Sequence, residues 1–374
     1  MILFVVIVTN SNAQSSNENS DKFKFGKKRN VFAQVKFDYG GVSPKLKENG
    51  IEKYYGLDLR VAWQRRENTV YSTIYNAPKF GVGFYSGAFG NDAFGEPNGL
   101  YGFFERQIGQ HRKKLNWVYH IGFGLAFNFN YFDAEDNPLN KLIGSHKNFY
   151  FSFSMEGRYN LTKHLVAGLG LGFKHFSSGR FNAPNKGLNM IPLTVTAEYD
   201  FGEDYPYYNK TKLRKFIPFN MISVFGAVGV KQFEYDEDHY FKSTLGIYAV
   251  KQFSYKFRYG AGFEIFYTAG SLDRVTDDKS DFNKQFSYGF SGLFEWLITD
   301  RLYLPVNIGV YLNKNSENFE ERMFNRVGLR YLLGNQKKIM IGVGLKVTEL
   351  HADYVEWTVG YTFKNDKNKY ELLF

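Results

Sequence analysis

The chain of 374 residues contains no cysteine, which removes disulfides and thiol chemistry and leaves the redox compartment open. It has no run of 18 or more apolar residues, so a membrane-spanning helix is excluded. Proline is sparse, at 9 residues, and no Pro/Ser-rich linker interrupts the chain after residue 30, although the length would admit two or three soluble domains. The net charge is +10, yet the basic residues are scattered singly along strand-like segments. Without a basic helix or stripe, the footprint of nucleic-acid binding is missing, and a phosphorylated lipid is an equally good anionic partner. His111, His120, His146, His164 and His351 are dispersed without zinc spacing, and no glycine loop is built to cradle phosphate, so no cofactor is expected.

What the chain has in excess is aromatic and glycine residues: 39 Phe, 28 Tyr and 37 Gly, with aromatics at 19%. The mean hydropathy of -0.38 would suit a soluble protein, but an average erases a period of two. That period is present throughout. Val31, Ala33, Val35, Phe37 and Tyr39 alternate with Gln34, Lys36 and Asp38; Leu57, Leu59, Val61 and Trp63 alternate with Asp58, Arg60 and Gln64. From Leu115 to Tyr131 every odd position is apolar or aromatic, opposite Asn116, His120, Gly122, Gly124, Asn128 and Asn130. Soluble strands average about five or six residues. Many of these run to ten or more, apolar on one face and polar or glycine on the other, which is the signature of a transmembrane β-barrel.

The fold expected is therefore all-β, a transmembrane antiparallel barrel. Candidate strands fall at 31–39, 55–66, 79–87, 98–107, 115–131, 148–160, 164–177, 188–201, 216–232, 241–254, 257–268, 284–298, 301–312, 321–333, 338–348 and 353–363. That is sixteen, an even number as bacterial barrels require. Alternate connections are tight, for example 161–163, 254–256, 299–300 and 334–336, while the other set is longer, including 40–54, 132–147, 178–187 and 269–283; short periplasmic turns and long outer loops are the barrel rule. Connections near 67–78 and 203–214 are long for periplasmic turns and leave fourteen strands open. Trp63, Trp117, Trp296 and Trp357 fall on apolar faces, toward the periplasmic end, as an interfacial girdle would. The domain reading is a signal peptide at 1–13, with Ser11-x-Ala13 as cleavage pattern, a polar segment at 14–30, one barrel over 31–363, and a polar tail at 364–374.

The chemistry points to one stretch. His175 and Ser177 are two apart on a strand and so share a face, and a base beside a hydroxyl is the minimum for a serine nucleophile. On this strand Leu165, Ala167, Leu169, Leu171 and Phe173 face lipid, and His175 and Ser177 continue that row to the outer rim. On the returning strand Ile191, Leu193, Val195 and Ala197 face lipid, which puts Asn189 on the same side. Three polar residues thus cluster where apolar ones are the rule.

Here the sequence resembles the lipid A 3-O-deacylase family of outer-membrane enzymes, particularly its longer relatives described as acyloxyacyl hydrolases. The family motif His-x-Ser-Asn followed by Asn-x-Gly-x-Glu reads His175-Phe-Ser177-Ser178 and Asn185-Lys-Gly187-Leu-Asn189. The resemblance spans roughly 148–200, with a weaker extension at Asn137-Pro-Leu-Asn140. It implies Ser177 as nucleophile, His175 as general base and Asn189 in the third position, with Asn185, Ser178 and Gly187 on the oxyanion and substrate side. It implies lipopolysaccharide, through lipid A, as substrate and the bacterial outer membrane as location. Two departures stand out: Ser178 replaces the family's Asn, and Asn189 replaces its acid, so the histidine is oriented by an amide that cannot neutralise its cation. Family members of the short form are eight-stranded barrels, about half this length.

The expectation is a serine esterase removing an acyl chain from lipid A. The alternative is a non-enzymatic barrel, either a degenerate relative or a pore in which lumenal Arg60, Arg158, Lys174, Arg326 and Arg330 conduct anions; an esterase acting on phospholipid is a third reading. Asp236-Glu237-Asp238-His239, and Asp277, Asp278 and Asp281, lack regular ligand spacing and read as solvated acidic loops. Oligomeric state is left open by the sequence.

Overall fold

The structure is a computed structural model that describes residues 29–65, 69–109, 114–202, 212–269, 282–313, 322–349 and 351–364. The signal peptide expected at 1–13, nearly all of the 14–30 segment, the tail beyond Lys364, and Asp277, Asp278 and Asp281 lie outside the described residues.

Sixteen strands form: β1 (Arg29–Val42), β2 (Tyr54–Arg65), β3 (Lys79–Ala88), β4 (Gly95–Ile108), β5 (Leu115–Phe129), β6 (Asn148–Asn160), β7 (Leu165–Ser177), β8 (Leu188–Asp200), β9 (Phe219–Lys231), β10 (Tyr240–Gln252), β11 (Phe257–Thr268), β12 (Phe286–Leu297), β13 (Leu302–Tyr311), β14 (Met323–Leu333), β15 (Ile339–Thr348) and β16 (His351–Lys364). Two short helices interrupt the first half, α1 (Pro44–Glu48) and α2 (Val70–Tyr75). The sixteen strands do not enclose one lumen. They close twice, as β1–β8 and as β9–β16. β8 returns to pair antiparallel with β1, from Phe32↔Asp200 to Val42↔Met190, and β16 pairs with β9, from Trp357↔Val228 to Lys364↔Met221. The single barrel expected over 31–363 is thereby two barrels in tandem. Fourteen strands is not the count.

The long connections near 67–78 and 203–214 now have reasons. The second joins the two barrels. The first carries α2, capped by Thr69, whose Oγ1 accepts from Ser72 N at 3.1 Å; Ile74 and Tyr75 pack into an apolar cluster with Met221, Phe225, Leu297 and Tyr303 of the second barrel. On the same side Trp296 meets Phe104 and Tyr119 of the first barrel at ring separations of 6.4 and 6.0 Å. Trp63, Trp117 and Trp296 lie near strand ends, as expected, with Trp296 shared between the barrels, whereas Trp357 lies midway along β16.

Outward residues such as Leu57, Leu59, Val61, Leu245 and Ile247 are about half exposed and form the lipid-facing belt; no helix among the described residues is long and apolar enough to cross a membrane. The inward rows are polar and buried. An eight-stranded barrel is just wide enough for its side chains to fill it, and both lumens are filled by ion pairs. In the first, Arg158 bonds Glu105 at 2.6 Å, Glu198 at 2.9 Å and Glu156 at 3.1 Å, while Lys36 meets Glu156 and Lys174 meets Asp38, each at 2.5 Å. In the second, Arg326 joins Glu264 and Glu356, and Lys231, Lys242 and Lys346 converge on Asp353 at 2.7–2.8 Å. Lumenal glycine makes room for this packing: a Cβ on Gly83 would stand 2.4 Å from the Tyr101 ring. The anion-conducting pore is overturned by this plugging. Arg60, Arg158, Lys174 and Arg326 are buried against carboxylates, and Arg330 lies against the Phe225 ring.

Candidate active site

β7 and β8 hold the three polar residues in register. His175 pairs directly with Asn189, and Ser177 stands across from Phe149 of β6. Because outward positions recur every second residue, the alternation that sends Leu171 and Phe173 to lipid also sends His175 and Ser177 there. Inward Phe176 is fully buried, packed on Tyr150 at a ring separation of 5.1 Å, and it pins the strand end from the lumen side.

The polar chain is continuous. Asn189 Oδ1 lies 2.6 Å from His175 Nδ1, and His175 Nε2 lies 2.9 Å from Ser177 Oγ. A carbonyl oxygen at Nδ1 requires the proton there, which leaves the Nε2 lone pair for the serine hydroxyl. Among the described residues no carboxylate pairs with His175. Glu198 is bound to Lys79 and Arg158 deep in the lumen. Ser177 is 7% exposed, whereas Leu171 on the same face is 63% exposed. Ser177 stands on the outward face at the rim and is largely covered there.

The 178–187 loop folds back over this pair. Ser178 N donates to Asn185 Oδ1 at 2.8 Å, and Ser178 Oγ donates to Asn182 O at 3.0 Å while accepting from Asn182 N at 3.3 Å. Two of the three residues expected on the oxyanion and substrate side thus hold the loop together: the carbonyl end of Asn185 and the hydroxyl of Ser178 are taken. Phe181 N bonds Ser178 O at 3.2 Å across Gly179 and Arg180, which have φ of 63° and 64°. Positive φ at both central positions is the pattern of a type I′ turn. The Gly179 N–H, two residues beyond Ser177, makes no hydrogen bond among the described residues. Gly187, at φ 69°, passes so close that a Cβ would lie 2.7 Å from His175 Cε1.

The 130–147 loop supports the return. Ile143 bridges Asn185, and the N–H groups of Lys186 and Gly187 both donate to Leu142 O, at 3.0 and 3.3 Å. Asn140 accepts from Leu142 and Ile143 N–H and donates to Ala93 and Asn130 carbonyls, so the Asn137-Pro-Leu-Asn140 run is structural. Lys141, Lys147 and Lys186 project from these two loops into solvent.

The two halves of the chain match two adjoining family models. The one described as lipid A 3-O-deacylase (PagL) matches residues 53–198, and the one described as acyloxyacyl hydrolase, C-terminal domain, matches residues 220–365. The chain is similar to this family over both barrels. The boundary between the matches falls between the two barrels, and the deacylase match contains His175, Ser177, Asn185, Gly187 and Asn189. Among solved structures, the outer membrane enzyme PagL is 15% identical, with 44% of this chain and 98% of that one covered and a TM-score of 0.32. Neisserial surface protein A is 10% identical, at 46% and 97% coverage and a TM-score of 0.30; Acinetobacter baumannii Omp33 is 8% identical, at 90% and 98% coverage and a TM-score of 0.17. No curated protein matches the chain. Family and fold agree on an outer-membrane protein whose strands cross the bilayer.

The Asp236–His239 run holds no metal cluster among the described residues. His239 instead reaches the first barrel, as does Gln232 just before it. No motif marks Gln232 in the sequence, and His239 stands out there only as the end of an acidic run.

Proposed function

We propose that this protein is an outer-membrane serine esterase that removes an acyl chain from lipid A of lipopolysaccharide. The observation that carries the reading is the Asn189–His175–Ser177 hydrogen-bond chain, placed on the outward face of a barrel at its outer rim. A nucleophile there meets an ester lying in the outer leaflet, with the acyl chain running down the apolar row that includes Phe151, Phe173 and Leu171.

Ser177 Oγ attacks the ester carbonyl as His175 Nε2 takes its proton. The oxyanion of the tetrahedral intermediate is met by the Gly179 N–H and by the amide nitrogen of Asn185; donors aimed at the developing charge are usually the largest single contribution to such catalysis. Collapse expels the sugar hydroxyl, protonated by His175, and leaves an acyl-serine. Water, deprotonated by His175, then releases the fatty acid and restores Ser177. Asn189 keeps the proton on Nδ1, so that Nε2 is the base throughout. Lys141, Lys147 and Lys186 supply positive charge beside the site for a phosphorylated headgroup.

Purified protein incubated with lipid A in detergent tests the reading. Free fatty acid released by the wild type and not by Ser177→Ala supports it. Equal release from both, or none from either, contradicts it. Release from phospholipid alone would move the substrate to the third reading.

A further inference from the structure

The second barrel reaches the site of the first. Just past β9, Gln232 N donates to Arg180 O at 3.1 Å and Gln232 Oε1 accepts from Ala183 N at 2.8 Å, so one residue holds both ends of the 180–183 segment. Its own amide nitrogen donates to Glu237 O at 2.8 Å, which fixes the side chain within the 232–239 loop. From that loop His239 Nε2 lies 3.0 Å from Asn182 Oδ1, and its ring faces Phe181 at 5.0 Å. Beside it Tyr235 meets Phe132 of the 130–147 loop at 4.7 Å. Val355 of β16 closes on Gly179, where a Cβ would stand 2.2 Å from Val355 Cγ2.

These contacts converge on the segment whose position decides the chemistry. Gly179 follows Ser177 by two residues, and the 178–187 loop ends at Gly187 over the His175 ring. Ala183 N–H is a buried backbone group, Arg180 C=O is half-buried at the second of two left-handed residues, and within their own barrel the structure gives neither a partner. Backbone groups left without partners in a buried position are destabilising, so the loop keeps this shape because the second barrel satisfies them. The arrangement gives the sixteen-stranded chain something that a lone eight-stranded barrel lacks: an outside brace on the loop of the nucleophile.

We infer that the second barrel is a working part of the first barrel's site, with Gln232 as a positioning residue that holds the 178–187 loop beside Ser177 and His175. The inference rests on the esterase reading for its kinetic consequence and on the contacts alone for its structural one. Misplacement of catalytic groups by about 1 Å costs up to about a hundredfold in rate. Loss of one brace is expected to cost about tenfold in kcat.

The test uses the full chain, folded in detergent, as wild type, Gln232→Leu, Gln232→Glu and His239→Ala. Each is first checked for the heat-modifiable migration of a closed barrel. Lipid A hydrolysis is resolved into kcat and KM, and backbone hydrogen exchange is followed over 178–187. Gln232→Leu is expected to lower kcat about tenfold with KM changed less than about twofold, and to speed exchange across the loop. Gln232→Glu keeps an acceptor for Ala183 N–H but loses the donor to Glu237 O, and is expected to recover part of both. His239→Ala is expected to show a smaller change in the same direction. Wild-type kcat and wild-type exchange in Gln232→Leu would overturn the inference. If even the wild type releases no fatty acid, the esterase reading fails, and loop exchange alone decides the brace: faster in Gln232→Leu supports it, unchanged overturns it.

Discussion

Asn189 Oδ1 accepts from His175 Nδ1 at 2.6 Å, directly across the β7–β8 pair, in the position where a carboxylate would complete a charged triad. The amide performs one of the two tasks of that position. It selects the tautomer that leaves Nε2 free for Ser177, but it brings no charge to balance the imidazolium that the proposed reaction would form.

Separating these tasks yields the first prediction. Asn189→Leu removes both the tautomer lock and the orientation, and is expected to lower kcat by about a hundredfold or more. Asn189→Asp keeps the acceptor and adds charge, and is expected to raise kcat above wild type. Fatty-acid release under saturating substrate checks both. A rate in Asn189→Leu equal to wild type would remove Asn189 from the site.

Gly187 is required by space as well as by conformation. With φ at 69° and His175 Cε1 only 2.7 Å from where a Cβ would stand, Gly187→Ala pushes the imidazole off Ser177 or lifts the loop. The expected outcome is a loss of about tenfold to a hundredfold in kcat with the unfolding midpoint in urea changed little, since the residue lies at a rim loop. A large fall in the midpoint with kcat preserved in the folded fraction would contradict this.

In the proposed reaction the exposed lysines of the two loops act in binding rather than in chemistry. Combined Lys141→Gln, Lys147→Gln and Lys186→Gln is expected to raise KM several-fold at low salt and to weaken its salt dependence, with kcat nearly unchanged. The effect should fade in about 1 M salt, where the screening length falls to about 3 Å. Titrating KM against ionic strength for wild type and the triple variant is the measurement. Parallel curves would contradict the role.

The first lumen is a stability element. Arg158 serves Glu105, Glu156 and Glu198 at once, so Arg158→Met leaves three buried carboxylates short of a partner. Breaking a buried pair in this way costs about 3–5 kcal/mol. The midpoint of urea unfolding in lipid vesicles should fall accordingly, and planar bilayers holding the wild type should show no steady ion conductance. A stable, ohmic conductance would contradict the plugged lumen.

Much of this was legible before any coordinates. Period-two alternation needs only local chemistry, so the strands, their faces, and the outward placing of His175, Ser177 and Asn189 followed from counting along the chain. Alternation says which way a side chain points and not which strand lies beside it. The choice between one closure and two is made at β1–β8 and β9–β16, where alternating strands are chemically interchangeable partners. The long 203–214 connection was the only trace of it. Motif spacing alone puts Asn185 and Ser178 on the oxyanion side; their bonds to Ser178 N and to Asn182 show that the same residues shape the loop. Gln232 and His239 are about fifty residues downstream on another barrel, at positions without pattern, and only tertiary placement brings them to the site.

The central claim is that Ser177 hydrolyses an ester of lipid A in the outer membrane. Mass spectrometry of lipid A from cells expressing the wild type or Ser177→Ala tests it most directly. Lipid A lacking one acyl chain is expected with the wild type and fully acylated lipid A with Ser177→Ala. The same acylation pattern in both strains would contradict it.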